Sequence, residues 1–116
     1  MIQHVAFEIR RELADDCAEF YALLGFDRVT PPPTLVERAA WVQRHGTQIH
    51  LLFAESPATL PAGHVAVIVD DFNATFAALA AAGHQPERRP EHWGSPRAYV
   101  RDPAGNLVEM MAFPPP

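Results

Sequence analysis

The chain has 116 residues, 48% of them hydrophobic and 20% charged, which is typical of one globular domain and excludes a disordered or low-complexity chain. Its formal net charge of −5, with no long basic run and no apolar stretch near the roughly 18 residues that cross a bilayer, argues against nucleic acid and membranes as partners. The single cysteine, Cys17, cannot form an intrachain disulfide, so we expect a cytoplasmic protein.

The first half of the chain predicts a strand, a helix and two further strands. The apolar run 4–9 predicts the first strand. A helix face with i, i+4, i+7 spacing follows, and Gly25 lies where it would end that helix. The residues of this face are Leu13, Cys17, Phe20 and Leu24. Two more alternating runs, 39–44 and 48–53, predict strands.

The second half repeats this pattern. The run 64–69 matches the run 4–9 at an offset of 60 residues. A second helix face is formed by Phe72, Phe76 and Leu79. The runs 97–101 and 106–113 predict the last two strands. Internal similarity of this kind predicts two copies of one supersecondary unit.

Each half is therefore expected to be a βαβββ module, with modules at 1–55 and 64–116 and a proline-containing linker between them. One module of this size would bury little core, so the two are expected to form one domain, 1–116. The predicted fold class is α+β: two tandem βαβββ modules forming a concave mixed sheet cleft, with the helices on the outside.

Four side chains with metal-binding chemistry recur at equivalent positions of the two halves. His4 matches His64, and His50 matches Glu109 at an offset of 59 residues. All four are predicted on the sheet face away from the helix, where a pseudo-twofold axis would bring them to one centre. Three imidazoles and a carboxylate suit one divalent transition metal ion, such as zinc, nickel, cobalt, manganese or iron. Alternatively, each histidine is a strand-end residue with ordinary hydrogen bonds.

Further candidates lie on the same faces. Glu8 is predicted as a general base or a partner of a metal ligand, or else as a solvated charge. Trp41 and Tyr99 are predicted to line a substrate pocket, although packing is the alternative for Trp41. Arg101 would attract an anionic substrate, or pair with the neighbouring aspartate. Trp93 lies in a loop that would cover the cavity. The other histidines, at 45, 84 and 92, are expected at the surface.

Two segments resemble a known superfamily. Tyr99–Glu109 has an Asp-Pro-Ala-Gly turn followed by a strand that contains Glu109, and Phe20–Phe26 has Phe-Tyr and Leu-Gly-Phe. Both segments are similar to the vicinal oxygen chelate superfamily. That group includes glyoxalase I, fosfomycin-resistance thiol transferases, methylmalonyl-CoA epimerase, extradiol dioxygenases and bleomycin-binding proteins. The resemblance covers essentially the whole chain and implies a homodimer, as many short members are dimeric.

The resemblance also implies ligand roles. His4, His64 and Glu109 match positions that many metal-dependent members share, whereas His50 stands where glyoxalase I has a glutamate. Glu109 and Glu8 are then the candidate catalytic carboxylates. The function implied is a lyase, isomerase or thiol transferase acting on a small oxygen-rich metabolite chelated to the metal. The alternatives are an antibiotic-binding resistance protein without turnover and an extradiol-type dioxygenase.

Overall fold

A computed structural model describes all residues, 1–116, and divides into two compact units, Met1–Thr59 and Leu60–Pro116. The elements of the first unit are β1 (His4–Ile9), a 3₁₀ turn (Arg11–Leu13), α1 (Ala14–Leu23), β2 (Asp27–Val29), β3 (Ala39–Arg44) and β4 (Thr47–Phe53). Those of the second unit are β5 (Val65–Ile68), α2 (Phe72–Ala81), β6 (Glu87–Arg89), β7 (Arg97–Arg101) and β8 (Leu107–Met111). Neither helix is long and apolar enough to cross a membrane.

The two units have the same sheet topology. The strand order is β1-β4-β3-β2 in the first unit and β5-β8-β7-β6 in the second. The pairs β1–β4 and β5–β8 are parallel, and the other pairs are antiparallel. The predicted α+β class with tandem βαβββ modules is therefore confirmed. The sequence did not locate β2 and β6, because each has only three residues and is mostly charged.

Both helices end in the same way. The N–H of Phe26 donates to the carbonyl of Tyr21, and the N–H of His84 donates to the carbonyl of Leu79. Each closing glycine, Gly25 and Gly83, has a φ near +90°, a conformation that only glycine adopts without strain. The glycines that ended both helices in the sequence pattern therefore have this role in the structure.

The predicted alternation of faces is present in both sheets. Ile49 and Leu51 of β4 are buried, whereas Leu52, which points to the opposite face, is exposed. In β5, Val67 is buried and Ile68 is exposed. All five residues of β8 are buried, so a polar side chain on this strand must find partners inside the protein.

An acidic residue caps α2. The Asp71 carboxylate accepts a hydrogen bond from the N–H of Ala74 at 3.0 Å. We expect Asp71→Ala to lower the free energy of unfolding by about 1 kcal/mol, because one helix N–H loses its acceptor. Urea denaturation measures this change, with Asp71→Asn as the control that retains a capping oxygen. An equal loss in both variants would contradict the capping role.

Candidate functional site

Three aromatic rings stack across the first sheet. The rings of His4 on β1 and His50 on β4 lie 4.0 Å apart with planes within 14°. On its other side, His50 stacks on Trp41 of β3, at 4.0 Å and 2°. Register causes this arrangement, since Trp41 is directly opposite His50 in the sheet. Two predicted metal ligands and one predicted substrate-contacting residue are thus brought together on one face.

Hydrogen bonds fix the orientation of both rings. Nε2 of His50 bonds to Oε1 of Gln48 at 2.8 Å, and Nδ1 of His4 bonds to Oε1 of Gln3 at 2.7 Å. An amide oxygen only accepts, so both bonded nitrogens carry the hydrogen. Each ring therefore keeps one lone pair, on Nε2 of His4 and on Nδ1 of His50, when it is neutral.

The environment of His50 disfavours its charged form. Burial and, second, the charge of the neighbouring His4 lower the pKa of His50 below its ordinary 6.5. The unfolded chain therefore takes up this proton at higher pH than the folded chain. The stability that His50 contributes is fully present above pH 6.5 and is lost as the pH falls through the folded-state pKa.

We expect metal-free protein to lose stability as the pH falls below 6.5, and the His50→Gln variant to lose less over the same range. Urea denaturation at a series of pH values measures this difference, and the exposed His92→Gln is the control. In His4→Gln, the pKa of His50 measured by NMR should rise but stay below 6.5, because burial is the larger cause. A pKa that does not move in this variant would contradict the role of His4.

The second unit brings His64 and Glu109 together. Nε2 of His64 lies 3.1 Å from Oε1 of Glu109, and Nδ1 of His64 lies 2.7 Å from the carbonyl oxygen of Ala62. The Ala62 carbonyl only accepts, so Nδ1 carries a hydrogen. In the neutral ring the lone pair is then on Nε2 and faces a carboxylate oxygen. Only a proton or another cation between these two atoms satisfies both of them.

The sequence prediction overlooked Arg97 as a site residue. Its guanidinium is buried and donates to Oε2 of Glu109 from Nε at 3.2 Å and to Oε1 from Nη2 at 3.4 Å. It also donates to the carbonyl of Pro90 at 2.7 Å and to the hydroxyl of Tyr99 at 3.4 Å. The hydrogen bonds to Glu109 raise the pKa of Arg97 further above its ordinary value. The alternation that places Tyr99 and Arg101 on this face also places Arg97 there.

The paired donors occupy equivalent register positions. In the first sheet Ala6 is opposite His50, and in the second Ala66 is opposite Glu109. His4 and His64 each lie two residues before these alanines. The repeat seen in the sequence is therefore a repeat in strand register. No group of three or more His, Cys, Asp or Glu side chains is placed to hold a metal ion, so the four-ligand centre stays a prediction.

The other candidates have varied surroundings. Glu8 is half-buried, and its carboxylate accepts from the N–H of Ala58 at 3.2 Å. Tyr99 lies opposite Glu109, with its ring 5.2 Å from that of His64. Arg101 donates to the carbonyl of Gly105 at 2.8 Å. The indole N–H of Trp93 donates to the carbonyl of Phe113 at 2.9 Å. Their roles toward a substrate stay predictions.

Each of the two units is a βαβββ module with a polar pair, His4 with His50 in the first unit and His64 with Glu109 in the second. The model of the Glyoxalase/Bleomycin resistance protein/Dioxygenase superfamily matches residues 1–110, and the chain belongs to this superfamily. Superfamily members generally use a divalent metal ion. Among curated proteins, no sequence matches the chain.

Solved structures share the fold. A glyoxalase family protein from Bacillus anthracis has a TM-score of 0.86 at 23% identity, covering 96% of this chain and 93% of that chain. Lactoylglutathione lyase from Agrobacterium tumefaciens has a TM-score of 0.72 at 21% identity, covering 96% of this chain and 92% of that chain. TnmS3, an antibiotic binding protein from Streptomyces sp. CB03234, has a TM-score of 0.72 at 20% identity, covering 96% of this chain and 93% of that chain. Identities this low show the fold alone, and the last two proteins, a lyase and an antibiotic binding protein, differ in function.

Proposed function

We propose that the chain is a divalent-metal-dependent lyase, isomerase or thiol transferase that acts on a small oxygen-rich metabolite. The observation that carries the proposal is the orientation of His64. A hydrogen bond from Nδ1 to a backbone carbonyl is the usual way in which a protein directs Nε2 of a histidine toward a metal ion. Here Nε2 faces an oxygen of the Glu109 carboxylate, and carboxylates are among the groups that bind divalent metal ions.

The remaining donors suit the same ion. His4 and His50 each keep a lone pair, and the lowered pKa of His50 favours the neutral ring that a metal requires. Glu109 also has capacity left, because a carboxylate has about four acceptor sites and Arg97 uses two of them. In the proposal, His4, His50, His64 and Glu109 together hold one zinc, nickel, cobalt, manganese or iron ion.

A bound divalent ion supplies a Lewis acid that stabilises negative charge developing on substrate oxygens. The chain's own residues have separate tasks. Arg97 fixes the orientation of the Glu109 carboxylate by holding both of its oxygens. His50 stands where glyoxalase I has a glutamate, so in the proposal Glu109 is the one carboxylate among the metal ligands. Glu8 is the proposed second proton-transfer group. Trp41, Tyr99, Arg101 and Trp93 are the proposed substrate contacts.

The metal content of protein purified without an affinity tag or added metal tests the proposal. We expect close to one divalent ion per chain in the wild type, measured by inductively coupled plasma mass spectrometry. Nickel, cobalt or zinc would favour lyase or isomerase chemistry, manganese a thiol transferase, and iron the dioxygenase alternative. A chain that stays empty after incubation with each ion in turn would contradict the proposal.

A binding protein without turnover is the second candidate. It is favoured by the ion pair between Arg97 and Glu109, which neutralises the carboxylate without a metal ion. In that function the stacked rings of His4, His50 and Trp41 would bind a flat ligand without a metal ion. An empty chain in the metal experiment would make this the leading function.

The proposed assembly is a homodimer. Mixing His4→Ala with Glu109→Ala protein tests whether two chains contribute ligands to one ion. Recovery of metal binding in the mixture would support shared ligands, and no recovery would count against them.

A further inference from the structure

The second unit contains a pocket that the proposed metal ligands do not line. It has a volume of about 420 Å³, within the range of roughly 300–1,000 Å³ that is usual for small-molecule sites. Its walls come from residues 61–62, from the segment after α2 and from facing residues of β7 and β8. Val100 and Leu107 supply apolar surface, so the pocket suits an organic molecule rather than a bare ion.

The lining of this pocket carries an excess of cationic side chains. Arg89 and Arg101 line it, against one carboxylate, Glu87. The chain as a whole has a net charge of −5, so this local excess is opposite in sign to the molecule that surrounds it. A cationic pocket on an acidic protein attracts anions locally.

Arg101 is oriented by neutral groups. Nη1 donates to the carbonyl of Gly105 at 2.8 Å, and Nη2 donates to the carbonyl of Pro61 at 3.4 Å. A carbonyl orients a guanidinium without cancelling its charge. A guanidinium has five N–H groups, so donors remain for a carboxylate or phosphate. The two tethers also reduce the rotamer entropy that a ligand would otherwise have to remove.

Tyr99 connects the pocket to the histidine–carboxylate pair. Its side chain lines the pocket, its ring lies 5.2 Å from that of His64, and its position is opposite Glu109 in the sheet. The guanidinium of Arg89 lies over the same ring, 5.0 Å from its centre. Arg89 also pairs with Glu87 at 3.7 Å, but both side chains are exposed and such a pair is weak.

We propose that this pocket binds the anionic end of an organic substrate, a carboxylate or a phosphate, through Arg101 and Arg89. The inference rests on the proposed function for the reacting end of the substrate, which would bind beside His64 and Glu109. It narrows the substrate class to metabolites that carry a negative charge in addition to the oxygens that chelate the metal.

The test measures binding to metal-free protein, prepared with a chelating resin because a soluble chelator is itself an anion. Three probes of similar shape are titrated at low ionic strength and followed by ¹⁵N–¹H NMR: phenylpropionate, phenyl phosphate and the neutral phenylpropionamide. We expect the two anions to shift the amide signals of Tyr99, Arg101 and Leu107. The amide should bind at least about tenfold more weakly, and the stronger anion shows whether carboxylate or phosphate is preferred.

Matched variants assign the binding to the pocket. Arg101→Gln and Arg89→Gln should each weaken phenylpropionate binding by about tenfold. Arg88→Gln removes the same charge one residue away, where Arg88 lies over the rings of Phe72 and Phe76, and should leave binding unchanged. If Arg101→Gln does not fold, Arg89→Gln still tests the site. The Arg89 side chain contacts the side chains of Glu87 and Tyr99, whereas that of Arg101 also holds two backbone carbonyls.

Three results would overturn the inference: equal binding of the amide and the carboxylate, shifts that map to another surface, or equal weakening by Arg88→Gln. Because the protein in this test contains no metal, the outcome is independent of the metal measurement. Anion binding by a chain that never takes up metal would support the pocket and contradict the proposed chemistry. Metal uptake without anion binding would support the proposed chemistry and contradict the anion-binding pocket.

Discussion

Arg97→Leu is expected to lower the free energy of unfolding of the metal-free protein by about 3 kcal/mol. Arg97 and Glu109 are both buried, with 8% and 6% of their surfaces exposed. Removing the guanidinium takes two hydrogen bonds from the Glu109 carboxylate and leaves its charge buried beside His64 alone. Breaking a buried ion pair from one side typically costs roughly 3–5 kcal/mol, and the remaining contact to His64 puts this case at the lower end.

Urea denaturation of three variants measures this effect and its origin. The double variant Arg97→Leu/Glu109→Leu should recover most of the lost stability, because no charge is then left unpaired. Arg28→Leu breaks the exposed pair between Arg28 and Asp15 and should cost less than about 1 kcal/mol. An Arg97→Leu variant no less stable than Arg28→Leu, or a double variant no more stable than Arg97→Leu, would contradict the account.

The fold could be predicted from the sequence because the patterns that indicate its strands and helices are local and occur in both halves of the chain. The run at 4–9, the helix face that includes Cys17 and the glycine at 25 each recur in the second half, so each prediction supported the other. The short strands at 27–29 and 87–89 could not be located in this way. They are charged and three residues long, and only pairing with a neighbouring strand makes them strands.

The equivalence of the two pairs was also predictable, because the sequence repeat places them at matching positions of the two halves. His64 and Glu109 lie at positions equivalent to those of His4 and His50, and each pair is in contact in its own unit. The role of Arg97 was not predictable to the same extent. Alternation places it on the correct face, but its burial depends on contacts with Pro90 and Glu109, which are distant in the sequence.

Arg97 and a metal ion would act on Glu109 in complementary ways. Without metal, the buried carboxylate is neutralised by Arg97, so Glu109 does not depend on the ion for a cationic partner. His64 makes no comparable contribution to packing, because a quarter of its side-chain surface remains exposed. Substitution of His64 should therefore separate metal binding from stability, whereas substitution of Arg97 should not.

We expect His64→Ala to abolish the stabilisation that a metal ion gives to the wild type. An ion present at a hundredfold excess over its dissociation constant raises the free energy of unfolding by about 2.7 kcal/mol, because it binds the folded chain alone. For a chain of this length the melting temperature would rise by roughly 10 °C. Differential scanning calorimetry with and without each ion measures the increase. The exposed His92→Ala should keep the full increase, since His92 is outside the donor set. An undiminished increase in His64→Ala would show that the ion binds elsewhere, and the proposed ligand set would then be wrong.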